Sequence, residues 1–337
     1  HDSDEFPCTL FKERLLGFIR LIEVTQMIMG SNFSSLEFIA CLGDRTGSAV
    51  PDDPRRMDAS VYNYAEGPLP LFGILSCKWS RNIPLPSFDM QSMSGVKYKG
   101  GSNVGRVEDW GDTMKELTKI REKHPWKLRK NKAVFRGMRG PCIHNVIGYD
   151  GSAAEKSGFN PERRKEASKC GRIGLEILAN YEPQPDEIKD FFDVRVFAME
   201  HEAYLMNQTS RNENGTLHLG FEDQEQYKYR VHIGNMAGWA NRLRKEILSG
   251  STLIYQESQC VEWIGLGMQR WKHYVPLSND LHNMHSIALW LRKHDSLAYS
   301  MTKRLNAYAK NNLSPKAIAI YTWAVLTRYA SLLQSNK

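Results

Sequence analysis

Three places in this 337-residue chain combine the residue types that anion binding and proton transfer require. The first is Arg242, which follows Gly234 and Gly238 where a strand gives way to a helix. A helix amino terminus presents unpaired N–H groups and the positive end of its dipole, so a guanidinium beside it makes a phosphate site. Gly238 and Trp239, which lead into the helix, share that candidacy. On charge and spacing alone, the alternative stays open that Arg242, Arg244 and Lys245 only solvate an outer helix face. The second place is Arg136-Gly137, ending the apolar run Ala133-Val134-Phe135. Glycine lets the backbone approach a phosphate, and arginine supplies a planar, permanently charged donor set. The third is Asp44 in Gly43-Asp44-Arg45-Thr46-Gly47, a carboxylate at the end of an early apolar run; a turn-forming aspartate is its plainer reading.

These residues need elements to hold them. Tyr227 to Ile233 alternates β-favouring and polar residues, Trp239, Leu243 and Ile247 recur at helical spacing, and Thr252 to Tyr255 reads as a buried strand. Together they form a βαβ unit, with Gly250 in the place of a helix C-cap glycine. Upstream, Leu10 to Met29 reads as a helix ended by Gly30, Ser35 to Leu42 and Leu71 to Cys77 as strands, and Asp109 to Lys123 as an amphipathic helix. Pro141 to Asn160 carries scattered glycines and reads as an insertion. Asp186 to Ala198 reads as a helix leading into a strand, and Asn207 to Glu222 as a polar surface loop. Downstream, Leu281 to Lys310 is helical, and Ser314-Pro315 supplies the N-cap and first-turn proline of a last helix. His282 and His285, at i and i+3, have metal-chelating spacing, yet no acid or cysteine partner adjoins them, and exposed helix-start histidines are the plainer reading.

Composition narrows the function classes. With 41% hydrophobic and 25% charged residues the chain is an ordinary globular protein with room for two domains. No run approaches about 18 apolar residues, so no membrane span is expected, and the first residues lack a basic-then-apolar leader pattern. The six cysteines form no C-x-x-C pair, which argues against thiolate metal sites. Four N-x-S/T sequons, at Asn32, Asn207, Asn214 and Asn312, favour a secretory compartment where disulfides form. The net charge of +7 is concentrated: residues 115–140 hold ten Lys or Arg against two Glu, a balance of +8, leaving −1 elsewhere. Nucleic-acid binding would rest on that segment alone, without a P-loop, zinc finger or aromatic RNA-binding motif, and none is expected.

Four patches resemble glycosyltransferase family 90, the Rumi-type protein O-glucosyltransferases and capsule-associated xylosyltransferases. They are Lys132-Ala133-Val134-Phe135-Arg136-Gly137, Tyr227-Lys228-Tyr229, Asn241-Arg242-Leu243 through Gly250-Ser251, and Glu262-Trp263 through Trp271-Lys272-His273-Tyr274-Val275-Pro276. Their order holds from about residue 130 to 310. The resemblance implies an α/β fold of GT-B type, two Rossmann-like domains facing across a cleft. Residues 1–128 would form the acceptor-side domain, with helix 314–337 packing back on it, and residues 129–313 the nucleotide-sugar domain. It implies inverting transfer of glucose or xylose from a UDP-sugar to a hydroxyl of a protein or glycan, with no metal or other cofactor, by a monomer in the lumen of the secretory pathway or outside the cell. By the same likeness Arg242 grips the diphosphate with Gly137 and Met138 beside it, Arg163 is a further phosphate-binding arginine, and Asp44 is the general base. Met138 replaces a small polar residue common in the family, and Arg270 a proline. A catalytically silent relative that binds a glycan or protein is the competing expectation.

Overall fold

A computed structural model describes residues 5–31, 36–38, 40, 72–77, 82–86, 110–138, 171–180, 184–197, 219–234, 242–258 and 260–334. Asp44, Arg163, Gly238 and Trp239 lie outside the described residues, as does the stretch 141–160 expected to be an insertion. In chain order the elements are α1 (Glu5–Met29), β1 (Phe72–Gly73), β2 (Leu75–Cys77), β3 (Ile83–Pro84), α2 (Trp110–Lys123), β4 (Lys130–Met138), α3 (Gly171–Asn180), β5 (Phe192–Phe197), α4 (Phe221–Gln224), β6 (Tyr227–His232), α5 (Leu243–Ile247), β7 (Thr252–Gln256), β8 (Cys260–Glu262), β9 (Val275–Leu277), α6 (Met284–Lys293), α7 (Asp295–Leu313) and α8 (Pro315–Gln334). The chain divides into two compact units, one of residues 1–115, 260–267 and 309–337, the other of 116–259 and 268–308.

The first unit packs α1 against α8. An edge-to-face relay of rings, Phe18 to Phe38 to Phe72 to Tyr329 at 5.6, 5.2 and 5.0 Å, fills its interior. Its strands are short because they change partner. Phe72–Gly73 pairs parallel with β3, and after Ile74 the next three residues pair antiparallel with β8, so the single strand expected over 71–77 is two. Of the strand expected over 35–42 only 36–38 and 40 are described, and there Ala40 forms a parallel bridge with Phe72. Ser314 caps α8, its hydroxyl accepting from the Ala317 N–H at 3.2 Å. Ile318, Thr322 and Leu326 of that helix are buried.

The second unit is built on one parallel five-stranded sheet, β5-β4-β6-β7-β9. Registered neighbours in a parallel sheet share a face. The pairs Phe135–Val194, Ala133–Tyr229, Val231–Ile254 and Ile254–Val275 therefore line one face, and these residues belong to a single apolar core. Leu175 and Leu178 of α3, Ile287 and Leu291 of α6, and Ala298 and Met301 of α7 complete it. Tyr229, fully buried there, donates its hydroxyl to Asn131 Oδ1 at 2.9 Å, with the Leu291 carbonyl at 3.2 Å as a second acceptor.

The opposite face is unlike it. Arg136, Asp193 and Arg230 lie on that face in buried or half-buried ion pairs and His232 hydrogen-bonds Glu246 there, while α2 and α5 bury Leu117, Ile120, Leu243 and Ile247. The helical run expected over 281–310 breaks at His294 into α6 and α7. Residues 186–188 form a single 3-10 turn before β5 in place of a longer helix. The helix after β6 ends at Ile247, with Leu248 as its C-cap, so Gly250 is not a cap. Its reason is close approach: a Cβ at Gly250 would stand 2.2 Å from an Arg129 guanidinium nitrogen.

Candidate active site

The strand order of the sheet, renumbered along the chain, is 2-1-3-4-5. From β4 the chain steps to one side to form β5, then returns to the other side for β6, β7 and β9. Between β4 and β6 the connections therefore diverge, which leaves a crevice outside the strand carboxyl ends, the usual ligand position in open α/β sheets. Arg242 sits there. Its side chain lies over the Phe135 ring of β4, 4.6 Å from the centroid, and donates from Nη2 to the Ile233 carbonyl just beyond β6 at 2.7 Å. Its Nε is 2.9 Å from Glu246 Oε1, one helical turn along α5. The side chain keeps 24% of its surface exposed, whereas the Glu246 side chain keeps 4%.

Gly137, two residues after Phe135 on the same face, is what lets the guanidinium lie flat. A Cβ at that position would come to 2.9 Å from Arg242 Nη1 and 3.0 Å from Phe135 Cζ, inside normal contact distance. Met138 is the last residue of β4 and pairs with Phe197 through the backbone. Arg136, between them, projects to the other face. There Nη1 donates to the Asp193 carbonyl and Nη2 to Oδ1 of the Asp193 carboxylate, both at 2.7 Å, and the Tyr227 hydroxyl donates to Oδ2 at 2.5 Å. Arg136 is thus an ion-pair residue of the buried face, separated by alternation from Arg242 and Gly137.

Three residues that the sequence pattern did not single out complete the arrangement. Arg172, second residue of α3, is buried and electrostatically coupled to both Arg242 and Glu246. Burial lowers its pKa, and Arg242 lowers it further, yet an arginine remains charged. Its helix begins at the same strand ends: a Cβ on Gly171 would lie 3.3 Å from Gln256 Nε2 and 3.7 Å from Ile233 Cγ2. The other two are Glu246 and His232. Burial pushes the Glu246 carboxyl up, but His232, Arg242 and Arg230 around it win and hold it below its ordinary value. Burial lowers the His232 pKa despite the attraction of Glu246, so the imidazole is neutral and its Nδ1–H donates to Glu246 Oε2 at 2.5 Å. The i,i+4 spacing of Arg242 and Glu246 was the one available signal for that pair. No signal marked His232 or Arg172.

The site therefore offers one part-exposed guanidinium, a second beside it, and the start of α3, in a low-dielectric crevice. Fixed donors in such a place do not have to reorganise, which suits the set to a doubly charged anion. Elsewhere on the same edge, His282 pairs with Asp280 at 2.6 Å in the turn after β9.

Residues 188–337 match the model of glycosyl transferase family 90. The chain is 31% identical to human "Protein O-glucosyltransferase 3" over 319 residues, covering 94% of this chain and 50% of that protein. It is 26% identical to the mouse protein of that name over 297 residues, with 88% and 47% covered. It is 23% identical to "O-glucosyltransferase rumi" of Drosophila melanogaster over 307 residues, with 89% and 63% covered. The chain spans about half the length of the protein O-glucosyltransferase 3 relatives it matches. With the family pattern filling residues 188–337 and Rumi-type relatives aligning along most of its length, the chain belongs to glycosyltransferase family 90.

Proposed function

We propose that this chain is a UDP-sugar glycosyltransferase of the GT-B type, inverting and independent of metal, that moves glucose or xylose to a hydroxyl of a protein or glycan. The observation that carries the reading is the placement of Arg242 at the β4–β6 switch point with Arg172 beside it. In a single displacement the acceptor oxygen bonds to the sugar anomeric carbon as the bond from that carbon to the diphosphate oxygen breaks. The hydroxyl proton goes to a carboxylate, for which Asp44 is the candidate, and the leaving diphosphate's charge falls to the arginines. Arg163 remains a candidate donor contact on the family resemblance, and Gly238 and Trp239 on their place leading into the helix.

An oxidising lumen fits the four sequons and the register of β2 with β8, which sets Cys77 opposite Cys260. The test is thermal unfolding with UDP and a chelator present. UDP raises Tm in the native chain and raises it much less in Arg242→Ala, whereas Asp44→Asn keeps the shift and loses sugar transfer. A native chain that UDP leaves unshifted overturns the proposal, and an Asp44→Asn variant with full transfer overturns the base.

A further inference from the structure

Among the described residues the Arg242 guanidinium is held on three sides and open on one. Phe135 lies beneath it, the Ile233 carbonyl takes Nη2 and Glu246 Oε1 forms an ion pair with Nε at 2.9 Å, which leaves Nη1 over the space that Gly137 vacates. Of these interactions the one with Glu246 is electrostatically odd. A buried carboxylate beside an anion site weakens the site's attraction for an anion, so charge alone gives no reason for it. Geometry does. A guanidinium binds phosphate well only as an aimed fork, and an untethered arginine loses rotamer freedom each time it is used.

The carboxylate is itself fixed. Oε1 is ion-paired with Arg242 and Oε2 receives the His232 Nδ1–H, so each oxygen is engaged and the group is held from both sides. His232 in turn is 1% exposed and stacks on the Tyr255 ring, 5.1 Å between centroids and 9° between planes. The support runs from β7 through β6 to α5 and ends on the one guanidinium of the set that faces outward. Its members come from three elements, and Glu246 reaches Arg242 only because α5 makes a full turn.

We propose that Glu246, braced by His232 and Tyr255, is the positioning residue that aims Arg242 at the diphosphate, so that donor affinity depends on this buried carboxylate although it touches no substrate. This deepens the donor-site reading given above and rests on it. The experiment is a double-mutant cycle on UDP and inorganic pyrophosphate affinity, measured by titration calorimetry on the native chain, Glu246→Ala, Arg242→Ala and both together. Glu246→Ala weakens binding on the order of tenfold in the native background, the effect of removing one charge-assisted hydrogen bond. In the Arg242→Ala background it changes nothing, because the residue it aimed is gone. Glu246→Gln, which keeps the shape and one acceptor oxygen, recovers part of the loss and serves in the same cycle if the alanine variant does not fold.

Equal weakening in both backgrounds identifies Glu246 as a general structural residue and overturns the proposal. So does native affinity in Glu246→Ala. A native chain that binds neither UDP nor pyrophosphate overturns the donor-site reading first and this inference with it. Loss confined to the native background separates aiming from folding, since a damaged fold lowers affinity whichever arginine is present.

Discussion

The two ends of the parallel sheet carry the same chemistry to different purpose. At the amino end Arg129 and Arg230 share the Glu225 carboxylate, which also accepts the Gly250 N–H at 2.9 Å. Arg129 spends its remaining donors on the His124 carbonyl and Ser251 hydroxyl. Both arginine side chains are 2% exposed and Glu225 is 1% exposed. At the carboxyl end Arg242 shares Glu246 with His232 and remains 24% exposed. An arginine sealed among carboxylate, carbonyl and hydroxyl holds strands in register, whereas one tethered at the strand ends with a nitrogen to spare can hold a ligand. The difference lies in exposure and position, since both clusters place guanidinium against a buried carboxylate.

That comparison breaks first at the sealed end. Glu225→Ala strands two buried guanidinium groups and should cost about 3–5 kcal/mol of stability, read as a lower denaturant midpoint with an unchanged slope. UDP affinity of the molecules that still fold stays at the native level. At the open end the effect is smaller and falls on binding. Gly137→Val pushes a side chain into Arg242 Nη1 and Phe135 Cζ and should cost UDP affinity roughly 1–3 kcal/mol, the range for overpacking, as titration calorimetry would record.

The smallest effect concerns pH. His273 accepts the Gln269 N–H at 3.0 Å through Nδ1, and burial lowers its pKa, as it does for His232. The unfolded chain therefore binds more protons than the folded one once pH falls below the free imidazole value of about 6.5. Stability is full above that point and declines as pH drops through it. Tm should fall between about pH 7 and pH 5, and His273→Gln should shallow that slope. An equal slope in the variant assigns the loss to other groups.

Local patterns carried much of this molecule. The strands at 130–138 and 252–256 and the helices at 110–123 and 315–334 follow from alternation, apolar runs and the Ser314-Pro315 start. Arg242 stood out because it follows a glycine turn and precedes a helix, and the family resemblance, which rests in part on the same residues, favoured it over a solvated helix face. Misreadings came where a residue's reason was distant. Gly250 looked like a cap because caps are local, but Arg129, far off in sequence, needs the space above it. Arg136 looked like an anion ligand because it ends an apolar run, but Asp193 on the adjacent strand takes its donors.

By itself, then, the sequence determined the residues that carry the family likeness and the βαβ pattern around Arg242. Periodicity and side-chain chemistry act over a few residues, and that is the range on which such features are written. Tertiary structure decided which arginines are sealed and which is open. It brought Arg172 from one crossover beside Arg242 from another, and it divided the charge-rich stretch from 115 to 140 among ion pairs with Glu222, Glu225 and Asp193. Whether a guanidinium binds a ligand or a neighbour depends on what stands within about 3 Å of its nitrogens. Strand order and register set that distance, and neither is legible one residue at a time.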